Sequence, residues 1–155
     1  MIKGGQKRPR PSRFAVSSQS GQRIGYGLTN GLRNKLIAAC PKTLLGLRNR
    51  AIIAVGYDTL CRRSELVSLR VEDLSELEGG AMSVLVRRAK NDPFGDGRLG
   101  YLTSETVEFL RAWLKASGVA ESWIFRRVLG DQVGVSCLHP FTVNRTIKAM
   151  ADAAA

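Results

Sequence analysis

The residues best suited to chemistry lie in one short stretch, Tyr57-Asp58-Thr59-Leu60-Cys61-Arg62-Arg63-Ser64-Glu65-Leu66. Arg62 precedes Glu65 by three positions, where one apolar run ends and another helix can begin. At that spacing a guanidinium can reach into a cleft while the carboxylate packs beneath it. The same spacing also makes ordinary surface ion pairs, which contribute little to stability. A second basic cluster, Arg87-Arg88-Ala89-Lys90, runs into a loop. Cys40, Cys61 and Cys137 are widely spaced and odd in number, no CxxC pair exists, and His139 is the single histidine. That pattern predicts neither a zinc site nor a disulfide framework, so no metal or cofactor is expected and the thiols read as reduced and cytosolic.

Charge points to the partner. Lys plus Arg number 24 against 13 acids, a formal net charge of +11. Such a balance suits a polyanion, whether DNA, RNA or an acidic membrane surface. Residues 1–25 hold Lys3, Lys7, Arg8, Arg10, Arg13 and Arg23 and no acid, so +6 of the +11 sits there. Rich in Gly, Ser, Gln and Pro, that segment reads as a flexible basic arm or linker whose phosphate contacts would be sequence-independent and salt-sensitive. No apolar run approaches the length of a membrane span, and the basic N-terminus leads into no apolar stretch, as a secretory signal would.

The elements that must position these residues can be read from periodicity and cap chemistry. Thr29 caps a helix through Leu32, Leu36 and Ile37 that Pro41 ends. A second helix starts near Thr43 or Leu44 and runs to about Leu60. Leu47, Ala51, Ile52, Val55 and Tyr57 cover more than one of its faces, which predicts a central, mostly buried helix. A short third helix over Ser64 to Leu69 presents Leu66 and Leu69 to the core. Met82, Val84 and Val86 alternate as in a half-buried strand, Asn91 to Gly97 is a loop by composition, and Arg98 to Leu102 returns as the second strand. Lys90 then lies where the first strand enters the loop. Helical periodicity resumes at Thr103 or Ser104 with Val107, Leu110 and Leu114, and Gly118 is its C-cap. Trp123-Ile124-Phe125 is an apolar stretch before another loop, and Thr142 caps a last helix through Val143, Ile147 and Met150. The fold class is α+β, mainly α-helical with a small antiparallel β-hairpin or sheet.

The arginine stretch, the buried helix before it from Gly46-Leu47-Arg48-Asn49-Arg50, and the hairpin segment Val86-Arg87-Arg88-Ala89-Lys90-Asn91-Asp92 together resemble the tyrosine recombinase, or phage integrase, family. Its members carry a Thr-Gly-Leu-Arg-x-x-Glu-Leu-like box, a leucine-rich turn and a β-hairpin bearing a lysine. The resemblance covers about residues 26–154. By register from the glutamate, Arg62 matches the family's first catalytic arginine, with Arg63 the adjacent alternative. Glu65 matches the acid that supports the site, and Lys90 matches the lysine general acid. The resemblance implies phosphoryl transfer on DNA through a tyrosine nucleophile, without metal. A planar guanidinium can hold the nonbridging oxygens bidentately, and an ammonium can protonate the 5′-oxygen leaving group. Arg63, Arg87 and Arg88 are expected to contact DNA.

The match stops short of a complete site. The family's second arginine lies in a His-x-x-Arg box, but His139 is followed by Pro140, Phe141 and Thr142, and Arg145 stands at the wrong spacing. His139 is therefore expected to cap or to lie on the surface. Tyr26, Tyr57 and Tyr101 fall in segments that match noncatalytic parts of the domain, so no nucleophile is assigned. The expected organisation is a basic arm, 1–25, followed by a partial catalytic domain, 26–155, of a truncated protein that lacks the helical DNA-clamping domain and is inactive in cleavage by itself. The expected partner is double-stranded DNA. The expected chain is monomeric in solution, cytoplasmic, bacterial or phage-type and nucleoid-associated, in a family that forms tetramers on DNA. The alternative is a noncatalytic DNA-binding protein at recombination sites. An RNA-binding helical module has little support, because no aromatic RNA-binding strand is visible.

Overall fold

The computed structural model describes residues 28–87, 95 and 97–155. Within them the chain forms five α-helices, two short 3-10 turns and two small antiparallel sheets. Helix α1 spans Asn30–Ala38, and the Thr29 hydroxyl accepts from Leu32 N–H as its N-cap. Helix α2 spans Leu44–Thr59, capped by Thr43 through Gly46 N–H. It is the central helix the apolar pattern predicts: Ala51, Ile52, Ile53, Ala54 and Val55 are all buried in succession. Helix α3, Arg63–Val67, is one short turn later, and Leu66 and Leu69 both reach the core.

Strands β1 (Leu74–Glu76), β2 (Met82–Val86) and β3 (Arg98–Leu102) form one sheet in the order β1-β2-β3. The β2–β3 pair is the expected hairpin, with Val86 opposite Arg98 and Met82 opposite Leu102. Helix α4, Ser104–Ser117, is capped by Thr103 and closed by Gly118 at φ 68°, a left-handed position that glycine takes without a Cβ clash. Its buried face, Val107, Leu110 and Trp113, packs on α2. Trp113 is fully buried and donates Nε1–H to the Ile124 carbonyl at 2.9 Å, so its polar edge is satisfied. Arg33 ties α1 to α4: its guanidinium is buried, 2.7 Å from Glu105 and 3.2 Å from the Thr106 hydroxyl.

Three expectations need correction. The segment after Phe125 is a second hairpin, not a loop: β4 (Arg126–Leu129) pairs with β5 (Gln132–Cys137). The expected β2–β3 hairpin is extended to three strands by β1, which no alternation announces, since its three residues run from half-buried to exposed. Helix α5, Pro140–Ala154, is capped by His139 and not by Thr142, which lies inside it. His139 Nδ1 accepts from Phe141 N–H at 3.2 Å, and Pro140 occupies the first turn, where its missing N–H costs nothing. Capping was one of the two roles expected for this histidine. The arm expected over residues 1–25 lies outside the described residues, as do Arg88, Lys90 and most of the stretch 91–97 expected to be a loop.

Candidate active site

The arginine stretch is a sharp junction between α2 and α3. Helix α2 ends at Thr59, and Leu60 turns the chain in the left-handed region at φ 50°, ψ 33°. Arg62 is extended, at φ −62° and ψ 153°, and starts α3 as its N-cap. Glu65, three residues on, accepts the Arg62 backbone N–H on Oε2 at 2.9 Å. An arginine side chain has no acceptor to return the bond, so only the glutamate half of a capping box operates here. Glu65 is nearly enclosed, with 12% of its side chain exposed, while the Arg62 side chain is 79% exposed. The carboxylate thus fixes the arginine's backbone and leaves its guanidinium facing outward, with a long 3.7 Å contact to Glu65 Oε1.

That guanidinium borders a cleft of about 680 Å³ lined by Cys61, Arg62, Arg63, Ser64, His139 and the start of α5. The N-termini of α3 and α5 therefore share one cleft with two arginines. The α5 terminus adds the positive end of a helix dipole, its first N–H groups being taken by His139, so dipole and arginines together make the cleft suit an anion. Burial is the largest influence on the Cys61 thiol and pushes its pKa up, which makes it a poor nucleophile. His139 also borders a second, larger cleft of about 830 Å³ beside α2, β5 and α5, where Arg48, Arg127 and Arg145 stand. Arg48 is buried, donates to Asn49 Oδ1 and the Arg126 carbonyl, and is pushed by burial down to about 10.

The predicted residues do not all come together. Arg62, Arg63 and Glu65 do. Lys90 and Arg88 lie outside the described residues. Arg87 holds Asp73 with a fork: Nε is 2.8 Å from Oδ1 and 3.0 Å from Oδ2, and Nη2 is 2.8 Å from Oδ1. Those hydrogen bonds, and then the Asp73 charge, raise the Arg87 pKa. Asp73 is buried, so Arg87 bolts the end of β2 to the turn before β1. The Arg87 side chain as a whole remains more than half exposed.

Sequence reasoning missed Arg98. From the start of β3 its Nη1 donates to the Thr59 carbonyl at 2.9 Å, and its Nη2 lies 3.5 Å from Glu65 Oε2. The only sequence signal is a basic residue opening the returning strand. Arg127 and Arg145 were also missed as cleft residues, the latter because it was weighed only by its spacing from His139. Tyr57 is half-buried with Arg33 over its ring at 5.5 Å, and Tyr101 is exposed on β3.

Comparison with known proteins bears on the whole described region. A stretch of 85 residues is 32% identical to the recombinase Cre of Escherichia phage P1, covering 53% of this chain and 25% of Cre. The fold matches the crystal structure of the XerA recombinase with a TM-score of 0.61 at 22% identity, over 96% of this chain and 46% of XerA. It also matches the XerH site-specific recombinase, whose structure is a post-cleavage complex bound to palindromic difH substrate, with a TM-score of 0.61 at 21% identity over 82% of this chain and 35% of XerH. The chain thus spans less than half the length of each. Residues 28–154 match the sequence model of the phage integrase family, and the chain belongs to that family.

Proposed function

We propose that this chain serves site-specific DNA recombination by strand breakage and rejoining, and that residues 26–155 supply the phosphate-gripping part of a recombinase catalytic domain. The observation that carries this is Arg62: exposed at 79%, held through its backbone by the nearly enclosed Glu65, and placed at an anion-suited cleft. Its position in a family member supports the role of phosphate clamp. Lys90 is the general acid, and Arg63, Arg87 and Arg88 contact the backbone of double-stranded DNA. The basic segment 1–25 adds salt-sensitive phosphate contact. The chain works in the cytoplasm on nucleoid or phage DNA, is a monomer free in solution, and joins tetramers only on DNA. Among the described residues no helix is long and apolar enough to cross a membrane.

The single histidine is not followed three residues later by arginine, and the chain's tyrosines are Tyr26, Tyr57 and Tyr101. We therefore expect binding without cleavage by this chain alone. Incubation with nicked, labelled duplex DNA tests this. Salt-dependent complexes without a covalent adduct are the expected result, and a stable protein–DNA adduct overturns the missing-nucleophile reading. No duplex binding at low salt sinks the proposal itself. The second reading, a noncatalytic protein occupying recombination sites, rests on the formal charge of +11 and the basic segment 1–25. It gains if added recombinase of the same family is blocked from the site rather than assisted. Light scattering that shows a stable tetramer without DNA contradicts the monomer.

A further inference from the structure

We infer that Arg98 is a positioning residue for Arg62. Its guanidinium spans the junction that carries Arg62 and ties that junction to the start of β3. The inference rests on the reading of Arg62 as a phosphate ligand.

Arg98 meets partners on both sides of Arg62. On one side Nη1 donates to the carbonyl of Thr59, the last residue of α2, at 2.9 Å. On the other, Nη2 lies 3.5 Å from Glu65 Oε2 in α3, and it also lies 3.5 Å from Cys61 Sγ. Glu65 Oε2 is the same oxygen that accepts the Arg62 backbone N–H at 2.9 Å. One carboxylate oxygen thus joins the Arg98 side chain to the Arg62 main chain. The junction needs such a brace because it contains no regular structure of its own: Leu60 is left-handed and Arg62 is extended. A planar fork can serve acceptors at both ends of the junction at once, whereas a lysine ammonium is a point donor on a flexible stem.

The brace also has a fixed footing. Arg98 pairs with Val86 across β2, beside Arg87 and its bond to Asp73. Two residues further on, Gly100 sits so close to α2 that a Cβ there would stand 2.8 Å from Thr59 Cγ2. The strand bearing Arg98 is therefore pressed against the end of α2 at the point where Arg98 takes hold of it. Displacement of the hairpin base and displacement of Arg62 are linked.

A double-variant cycle on the full chain tests this. Affinity for duplex DNA is measured at fixed salt for the wild type, Arg62→Ala, Arg98→Lys and the pair, with Arg145→Ala as a cleft control in both backgrounds. Arg98→Lys preserves net charge, so long-range attraction is unchanged. Arg98→Gln is run in parallel, with folding of each confirmed by urea unfolding, and either variant that folds decides the outcome. Arg62→Ala should weaken binding about tenfold in the wild type and less than about twofold when Arg98 is replaced, while the Arg145→Ala factor stays the same in both. Hydrogen exchange at the Arg62 amide should accelerate in the Arg98 variants while Leu110 in α4 does not change. An Arg62→Ala factor that is equal in both backgrounds overturns the positioning role. Wild-type binding by Arg62→Ala itself overturns the phosphate-ligand reading, and the inference falls with it.

Discussion

Leu60 stands in left-handed backbone at φ 50° where the family's arginine box carries glycine, and the residue is 81% exposed. The side chain recovers little burial energy against a conformation that costs an L-residue about 1 kcal/mol. Leu60→Gly should therefore raise the unfolding free energy by about 1 kcal/mol in urea titration, and the β-branched Leu60→Ile should lower it. At Arg87 the expectation concerns Asp73, which is buried and held by Arg87's fork. Arg87→Met strands that carboxylate and should lower the urea midpoint. Adding Asp73→Leu should restore most of the loss, because removing both partners leaves no buried polar group unmatched. If the pair of changes is no better than Arg87→Met alone, the fork is not what Arg87 contributes. The Arg62 to Glu65 spacing was legible in the sequence because both residues belong to one local turn. Arg98 was not, because its partners Thr59 and Glu65 lie 39 and 33 residues earlier and only tertiary packing joins them.

At the scale of elements, cap chemistry carried most of the reading. Thr29, Thr43 and Thr103 start α1, α2 and α4 through hydroxyl-to-backbone bonds, and Gly118 ends α4. At α5 the same logic chose Thr142 over His139, although Pro140 in the first turn marks the true start. The β4–β5 hairpin escaped because its strands are largely exposed, so no buried alternation marks them, and only Gly130 and Asp131 signal a turn. Strand β1 is three residues long and exists by pairing with β2. The contact between β3 and α2 gives the prediction for this scale. Gly100→Ala places a methyl 2.8 Å from Thr59 Cγ2 and should destabilise the chain by about 1–3 kcal/mol. Thr59→Ser removes that methyl and should recover part of the loss in the Gly100→Ala background. Strict additivity of the two changes would show that they do not share this contact.

For the whole molecule, one buried cluster joins α2, α3, the three-stranded sheet, α4 and the start of α5. The Ile124 N–H to Leu69 carbonyl bond, at 3.0 Å, ties the second hairpin's approach to the exit of α3. This packing sets the N-termini of α3 and α5 at one cleft, although no pattern in either segment announces the other. The formal charge of +11 forecast a polyanionic partner but not which surface meets it, since charge alone does not place residues in space. The exposed Arg62 does give a position. The most direct measurement is the salt dependence of duplex-DNA binding by the wild-type chain and Arg62→Ala. Loss of one phosphate contact should weaken binding uniformly across sequences and make the log–log salt slope shallower by about one. Superimposable salt curves for the two proteins would contradict the placement of Arg62 on the phosphate.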